Sequence, residues 1–157
     1  MSHPKDLHDQ ILAEEAELRL DGFGVDDAWA LGSQMRQAAA DRALPIAIGI
    51  VLGRQRVFHT ALPGSSADND DWLERKTAVV LRYGRSSLGV GEQFRVGGKD
   101  FDVASRLDPA RYAAHGGVFP LVLRRGGALL GAVGVSGLPQ REDHAFVVEQ
   151  LRAFCAA

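Results

Sequence analysis

Two hydrophobic rhythms run along the chain. In "VDDAWALGSQMRQAAADRA", residues 25–43, Ala28, Leu31, Met35 and Ala39 recur at i, i+3, i+7 and i+11, which puts them on one face of a helix. Asp26 is the expected N-cap and Pro45 the stop. "KDLHDQILAEEAELRL" sets Leu7, Ile11, Leu12, Leu18 and Leu20 among acids at roughly helical spacing, and the glycines of "DGFG" end it. "DWLERKTAVVLRYG" brings Trp72, Lys76, Val79 or Val80, and Tyr83 onto adjacent turns, with Asp70 or Asp71 as its cap. Residues 138–157, "LPQREDHAFVVEQLRAFCAA", predict a closing helix with Phe146, Val147, Leu151 and Phe154 on one face and Pro139 near its start.

The second rhythm has a period of two. In "PIAIGIVLGRQRVFHTAL", Ile46, Ile48 and Ile50 point one way, and "GRQ" is a short loop into Val57, Phe58 and Thr60. "VFPLVLRRGGALLGAVGVSG" predicts a second hairpin with "RRGG" at its turn and a long apolar run from Leu129 to Val135. "PGSSADNDD" is a polar loop. The middle, "RSSLGVGEQFRVGGKDFDVASRLDPARYAAHGG", is weakly patterned. Glu92 to Arg95 suits a helix and Pro109 to Ala114 a short one, while "SSLGVG" or "EQFRVGGKDFDV" offers a fifth strand. Two hairpins separated by helices argue for an α/β (α+β) fold with an antiparallel sheet, not for βαβ winding.

Length and composition narrow the picture. At 157 residues, 46% hydrophobic and 24% charged, the chain fits a single domain, 1–157, with 1–22 as an N-terminal helical extension. The net charge of -2 argues against nucleic acid or an anionic membrane as partner. Cys155 stands alone, so no internal disulfide forms, and a free thiol suits a reducing compartment. The start, "MSHPKDLHDQILAEEAEL", is polar and acidic, unlike a signal peptide. No apolar run reaches the ~20 residues of a membrane span. A cytoplasmic location is the expectation.

Candidate chemistry gathers in three places. "HGGVFP" and "EDH" supply His115 and His144, imidazoles suited to metal ligation, acid–base work or plain polar contacts. Gly116 and Gly117 allow close backbone approach, as Gly131 and Gly134 do within the apolar strand. "ERK" offers Arg75 and Lys76 as partners for a carboxylate, or as a solvated helix face with Glu74. "RSS" gives Arg85, Ser86 and Ser87, an anion nest at a helix start or an N-cap. The surroundings of Ser136, "VSGLP", are not a nucleophile elbow, and "GVGEQF" lacks the setting of a dinucleotide fingerprint. Neither "CxxC" nor "HExxH" is present.

Three motifs, "DNDDWLERKTAVVLRYGRSS", "YAAHGGVFP" and "VSGLPQREDH", stand in the order that marks a known family. Through nearly its whole length the chain resembles the haem-degrading-domain family of GlcG-like and HbpS-like proteins, in its UPF0303 branch. The resemblance implies a profilin-like fold, a central antiparallel sheet of about five strands with helices on both sides, and assembly into homo-oligomers. It also implies a site drawn from Arg75, Lys76, Ser86, Ser87, His115, Gly116, Gly117, Ser136 and His144. Trp72, Pro120, Gly137 and Asp143 match as well. Haem is the implied cofactor, with His115 or His144 facing the metal and Arg75 and Lys76 pairing with its carboxylates. The cysteine lies outside every motif, which speaks against a Cys-ligated haem. The N-terminal extension and the "HGGVFP" form set the chain apart from HbpS-like relatives.

The expectation is therefore an oligomeric protein that binds a small anionic ligand such as haem. Behind it stand a scaffold oligomer, with Trp72 and the Arg75–Lys76 pair as interface anchors, and a small enzyme using His115 and His144.

Overall fold

The computed structural model describes residues 4–157, and the first three residues of the expected extension lie outside that range. The elements are α1 (Pro4–Glu17), α2 (Val25–Asp41), β1 (Ala47–Leu52), β2 (Gln55–Ala61), α3 (Ala67–Tyr83), α4 (Ser87–Val96), α5 (Phe101–Ala104), β3 (Val118–Val122), β4 (Leu129–Ser136) and α6 (Gln140–Ala156). The strands form one antiparallel sheet in the order β2-β1-β4-β3. Both expected hairpins are present, and they join through their inner strands.

The sheet has four strands, not about five. "SSLGVGEQFRV" is the helix α4, because Ser86 caps it by accepting from the Gly89 N–H at 3.1 Å. Val90 and Phe94, four residues apart, then pack with Phe101. Pro109 to Ala114 is a turn instead of a helix: the Asp108 backbone carbonyl accepts from Arg111 and Tyr112, and its side chain from Ala110. Two caps also shift. α2 starts after Gly24, whose N–H donates to the Asp27 carboxylate at 2.8 Å. α3 starts after Ser66, whose N–H donates to the Asn69 side-chain oxygen at 2.8 Å, four to five residues before Asp70 and Asp71.

The two faces of the sheet differ in side-chain size. Ile46, Ile48, Ile50, Phe119, Leu121, Val133 and Val135 form the main core against α2 and α6. In that core sit the predicted α2 residues Ala28, Leu31, Met35 and Ala39, with Phe146, Val147 and Leu151 of α6. Alternation sends the opposite set, Ala47, Gly49, Ala132, Gly134 and Ser136, toward α3, where Leu73 and Val80 meet Ala47, Val118 and Ala132. Gly134 leaves no vacancy for a ligand, since a Cβ there would strike Val118 of the neighbouring strand.

α1 ends at Glu17, earlier than its apolar spacing suggests. Leu18 and Leu20 are buried, but Leu20 belongs to an extended stretch that pairs with Leu123 beyond β3 and covers that sheet edge. The helix itself packs on α4, with Ile11 fully buried, and two adjacent glutamates tie it to other parts of the chain. Glu14 contacts the His144 imidazole at 2.8 Å. Glu15 accepts from Arg85 at 2.9 Å and from both the N–H and the hydroxyl of Ser86 at 2.8 Å.

Burial alone would raise the Glu14 carboxyl, yet the bond and charge of His144, together with Gln10 and Arg152, outweigh it and hold it below the usual range. A carboxylate so lowered stabilises the fold above its unfolded pKa and loses that effect as pH falls through the folded one. Glu14→Gln keeps the size and removes the charge. It is expected to cost about 1–3 kcal/mol in chemical denaturation at neutral pH, with faster amide exchange across α1. Unchanged stability and exchange would show that the pair does not dock α1.

Candidate functional site

The site residues expected from the sequence divide into groups with different neighbours. Lys76 is the centre of the first. It lies on the inner face of α3, 2% exposed, and its ammonium donates to the Gly116 carbonyl at 3.0 Å and the Val135 carbonyl at 2.8 Å. The Asp143 carboxylate, from the first turn of α6, stands 3.4 Å away. Asp143 also accepts from the backbone N–H of Leu138 at 3.0 Å and of Gly137 at 3.4 Å. Lys76 is thus an internal cation, not half of a solvated pair.

This arrangement explains "HGG". Gly117 has φ +138°, and a side chain there would collide with the Lys76 ammonium and the Val135 carbonyl. A Cβ at Gly116 would strike the backbone of Gln140. Both glycines are set by the lysine and by the start of α6.

Arg75 does not share the lysine's environment. Its guanidinium lies 4.0 Å from the centre of the Trp72 ring, and its Nε is 3.0 Å from Asp71. The Trp72 and His115 rings meet edge to face at a centroid distance of 5.3 Å. Trp72 is half-buried in these contacts, while Lys76 is buried within the chain. Ser86 and Ser87 are fully buried. The nest expected at "RSS" exists, but the anion in it is Glu15 of α1. Ser87 is taken up by Val118, donating to its carbonyl at 3.3 Å and accepting from its N–H at 3.1 Å.

The two histidines do not converge. His144 is buried against Glu14, while His115 is exposed and lines a cavity on the α3 side with Lys76, Gly116, Ser136 and Asp143. Among the described residues no group of three or more His, Cys, Asp or Glu side chains is arranged to hold a metal ion. The cavity measures about 260 Å³. Partial desolvation by its neighbours, and then the charges of Lys76, Arg75 and Arg95, lower the His115 imidazole against the opposing pull of Asp102.

A larger hollow lies on the same face of the sheet, farther along α3. It measures about 810 Å³ and runs between α3 and the strands β1, β2 and β4. Val51, Leu73, Leu81 and Leu130 give it apolar walls, and Arg54, Arg56, Arg82 and Arg111 stand around it with Asp70 and Glu74. His59 holds Asp70 at 2.7 Å, and Tyr112 lies under Arg82 and Arg111, each 5.8 Å from the ring centre. None of these arginines was a candidate from the sequence. They are scattered singly over a hairpin, a helix end and a turn, so only folding collects them.

A four-stranded antiparallel sheet with helices on both faces and a cleft over its small-residue side defines a profilin-like α/β domain. The chain belongs to the HbpS-like family of haem-degrading proteins, whose model matches residues 23–152. A UPF0303 protein of Streptomyces coelicolor is 54% identical over 143 residues, 90% of each chain. The crystal structure of the Ybr137w protein matches with a TM-score of 0.89 at 32% identity, covering 98% of this chain and 92% of that one. The crystal structure of a PduOC complex with haem shares the fold at a TM-score of 0.68 and 16% identity, over 85% and 94% of the two chains. No helix among the described residues is long and apolar enough to cross a membrane.

Burial pushes the Asp143 carboxyl up to about 6 in spite of Lys76 and the two N–H groups that pull it down. A carboxyl raised in the folded chain is protonated there at pH values where the unfolded chain has lost its proton. Its contribution to stability therefore falls as pH rises from about 4 to about 6, by roughly 3 kcal/mol in all. Lys76→Met removes the opposing cation, so the midpoint of the Asp143 carboxyl carbon shift in NMR is expected to move above 6. A midpoint that moves down would show that burial is not the controlling cause.

Proposed function

We propose that this protein binds a flat, anionic small molecule of haem's kind, in the cleft between α3 and the sheet. The observation that carries the reading is the cleft itself. Its roughly 810 Å³ falls within the range of small-molecule sites, about 300–1,000 Å³. Apolar walls suit a macrocycle, and four arginines against two acids suit its carboxylates. Family membership and the haem complex of PduOC support the choice of ligand. The cavity at His115, about 260 Å³, is too small for that role.

Haemin titrated into the protein is expected to give a saturable Soret change. Arg56→Glu combined with Arg82→Glu is expected to weaken binding roughly tenfold, about 1.4 kcal/mol. A titration that does not saturate, or one that both charge reversals leave intact, would remove the cleft as the site.

A second observation favours self-association. Val25 and Trp29 lie one turn apart on the outer face of α2, 59% and 67% exposed. Exposed tryptophan beside valine is the composition of a contact surface, and we propose that copies of the chain meet there as a homo-oligomer. Trp29→Glu is expected to give monomers in light scattering. An unchanged mass would place the contact elsewhere.

A further inference from the structure

The small cavity beside α3 has features that the cleft reading does not use. Strand alternation places Ser136 on the α3 face, after Ala132 and Gly134, and the residue is 3% exposed. Its hydroxyl lines the cavity and makes no hydrogen bond among the described residues. The hydroxyl is not sealed from water, so its donor is open to a partner in the cavity. Two amides at the same cavity are half-used. Asn69 spends its oxygen on the Ser66 N–H and Gln140 its oxygen on the Gly116 N–H, which leaves both NH₂ groups to donate.

From these groups we infer a binding site for a small monocarboxylate. The unspent groups are mostly donors, which calls for an acceptor. The first turns of α3 and α6 both border the cavity, so two positive helix ends face it. Arg75, on the outer side of α3 beside Trp72, adds a further positive charge near the cavity's mouth. The Asp143 charge is already answered by Lys76 and two backbone N–H groups. Asp68, exposed at the rim, opposes a second negative charge and so selects a monoanion over a dianion. Trp72 and Leu138 offer apolar surface for a short tail. Ser136 donates to one carboxylate oxygen, and the amides reach the other.

The test is an NMR titration of the full chain with propionate, with propionamide as the neutral match. Saturable shifts are expected at the amides of Gly137, Gln140 and Arg141 and at the Trp72 indole N–H, with propionamide at least tenfold weaker. Ser136→Ala is expected to weaken propionate roughly tenfold, the loss of one hydrogen bond to a charged group. Asp68→Asn, a surface change that leaves the core alone, is expected to tighten it. Haemin binding to Ser136→Ala is expected to be unchanged, which keeps this site distinct from the cleft. Absence of saturable shifts, equal affinity for propionamide, the same shifts with chloride, or an unaltered affinity in Ser136→Ala would each overturn the assignment.

Discussion

The fold is organised around one ammonium group almost entirely removed from water. An isolated buried charge is expensive, so an internal lysine stands only where its hydrogens meet acceptors. Lys76 finds them on three separate parts of the chain: the turn before β3, the end of β4 and the first turn of α6. Those contacts fix α3 against the sheet and fix where α6 begins. They also dictate sequence elsewhere, because the space that the ammonium fills beside Gly117 admits no side chain. Asp143 shows the competition at work. Burial raises its carboxyl and the lysine lowers it, and burial wins by enough to leave it at about 6. The pair is therefore more a locator of elements than a large source of stability, in keeping with the general weakness of buried ion pairs as stabilisers.

A second constraint follows from the difference between the two sheet faces. Isoleucines and valines on the α2/α6 side are covered by two helices and fully buried. Alanine, glycine and serine on the other side meet only α3, anchored at one end by Lys76. One helix laid on small residues cannot cover the sheet. The uncovered remainder is the large cleft, on the β1–β2 side, and the small cavity, at the end where β4 runs into α6. Both hollows thus arise from side-chain size on alternate strand positions, before any ligand is considered.

This division also explains which features were legible in the sequence. The face of α2, the two hairpins and the closing helix were read from periodicity, because burial there follows the local pattern. α4 was obscured since its glycines and serines score as turn residues, while its buried contacts come from α1 and Phe101. The cap of α3 was misplaced because "SSADNDD" holds several competent caps, and the one used is Ser66, closed by Asn69. Within the candidate site, Lys76, His115, Gly116 and Ser136 were drawn together as the motifs suggested. The arginines of the cleft carried no local signal at all.

His144 and the "RSS" nest show why motif chemistry alone misassigns a partner. Both were suited to an anion, and both have one, but it is supplied by consecutive glutamates of α1. Nothing in "AEEAEL" distinguishes these acids from an ordinary exposed run; their role depends on a helix returning across 70 residues in one case and 130 in the other. Groups whose partners lie inside the chain have no capacity left for a ligand. Applied across the site, that criterion removes Ser86, Ser87, His144 and Lys76 from direct recognition and leaves Ser136, Asn69 and Gln140 on one side of α3 and the four arginines on the other. Unspent hydrogen-bonding capacity, more than residue type, is what separates the groups able to meet a ligand from those the fold has already used.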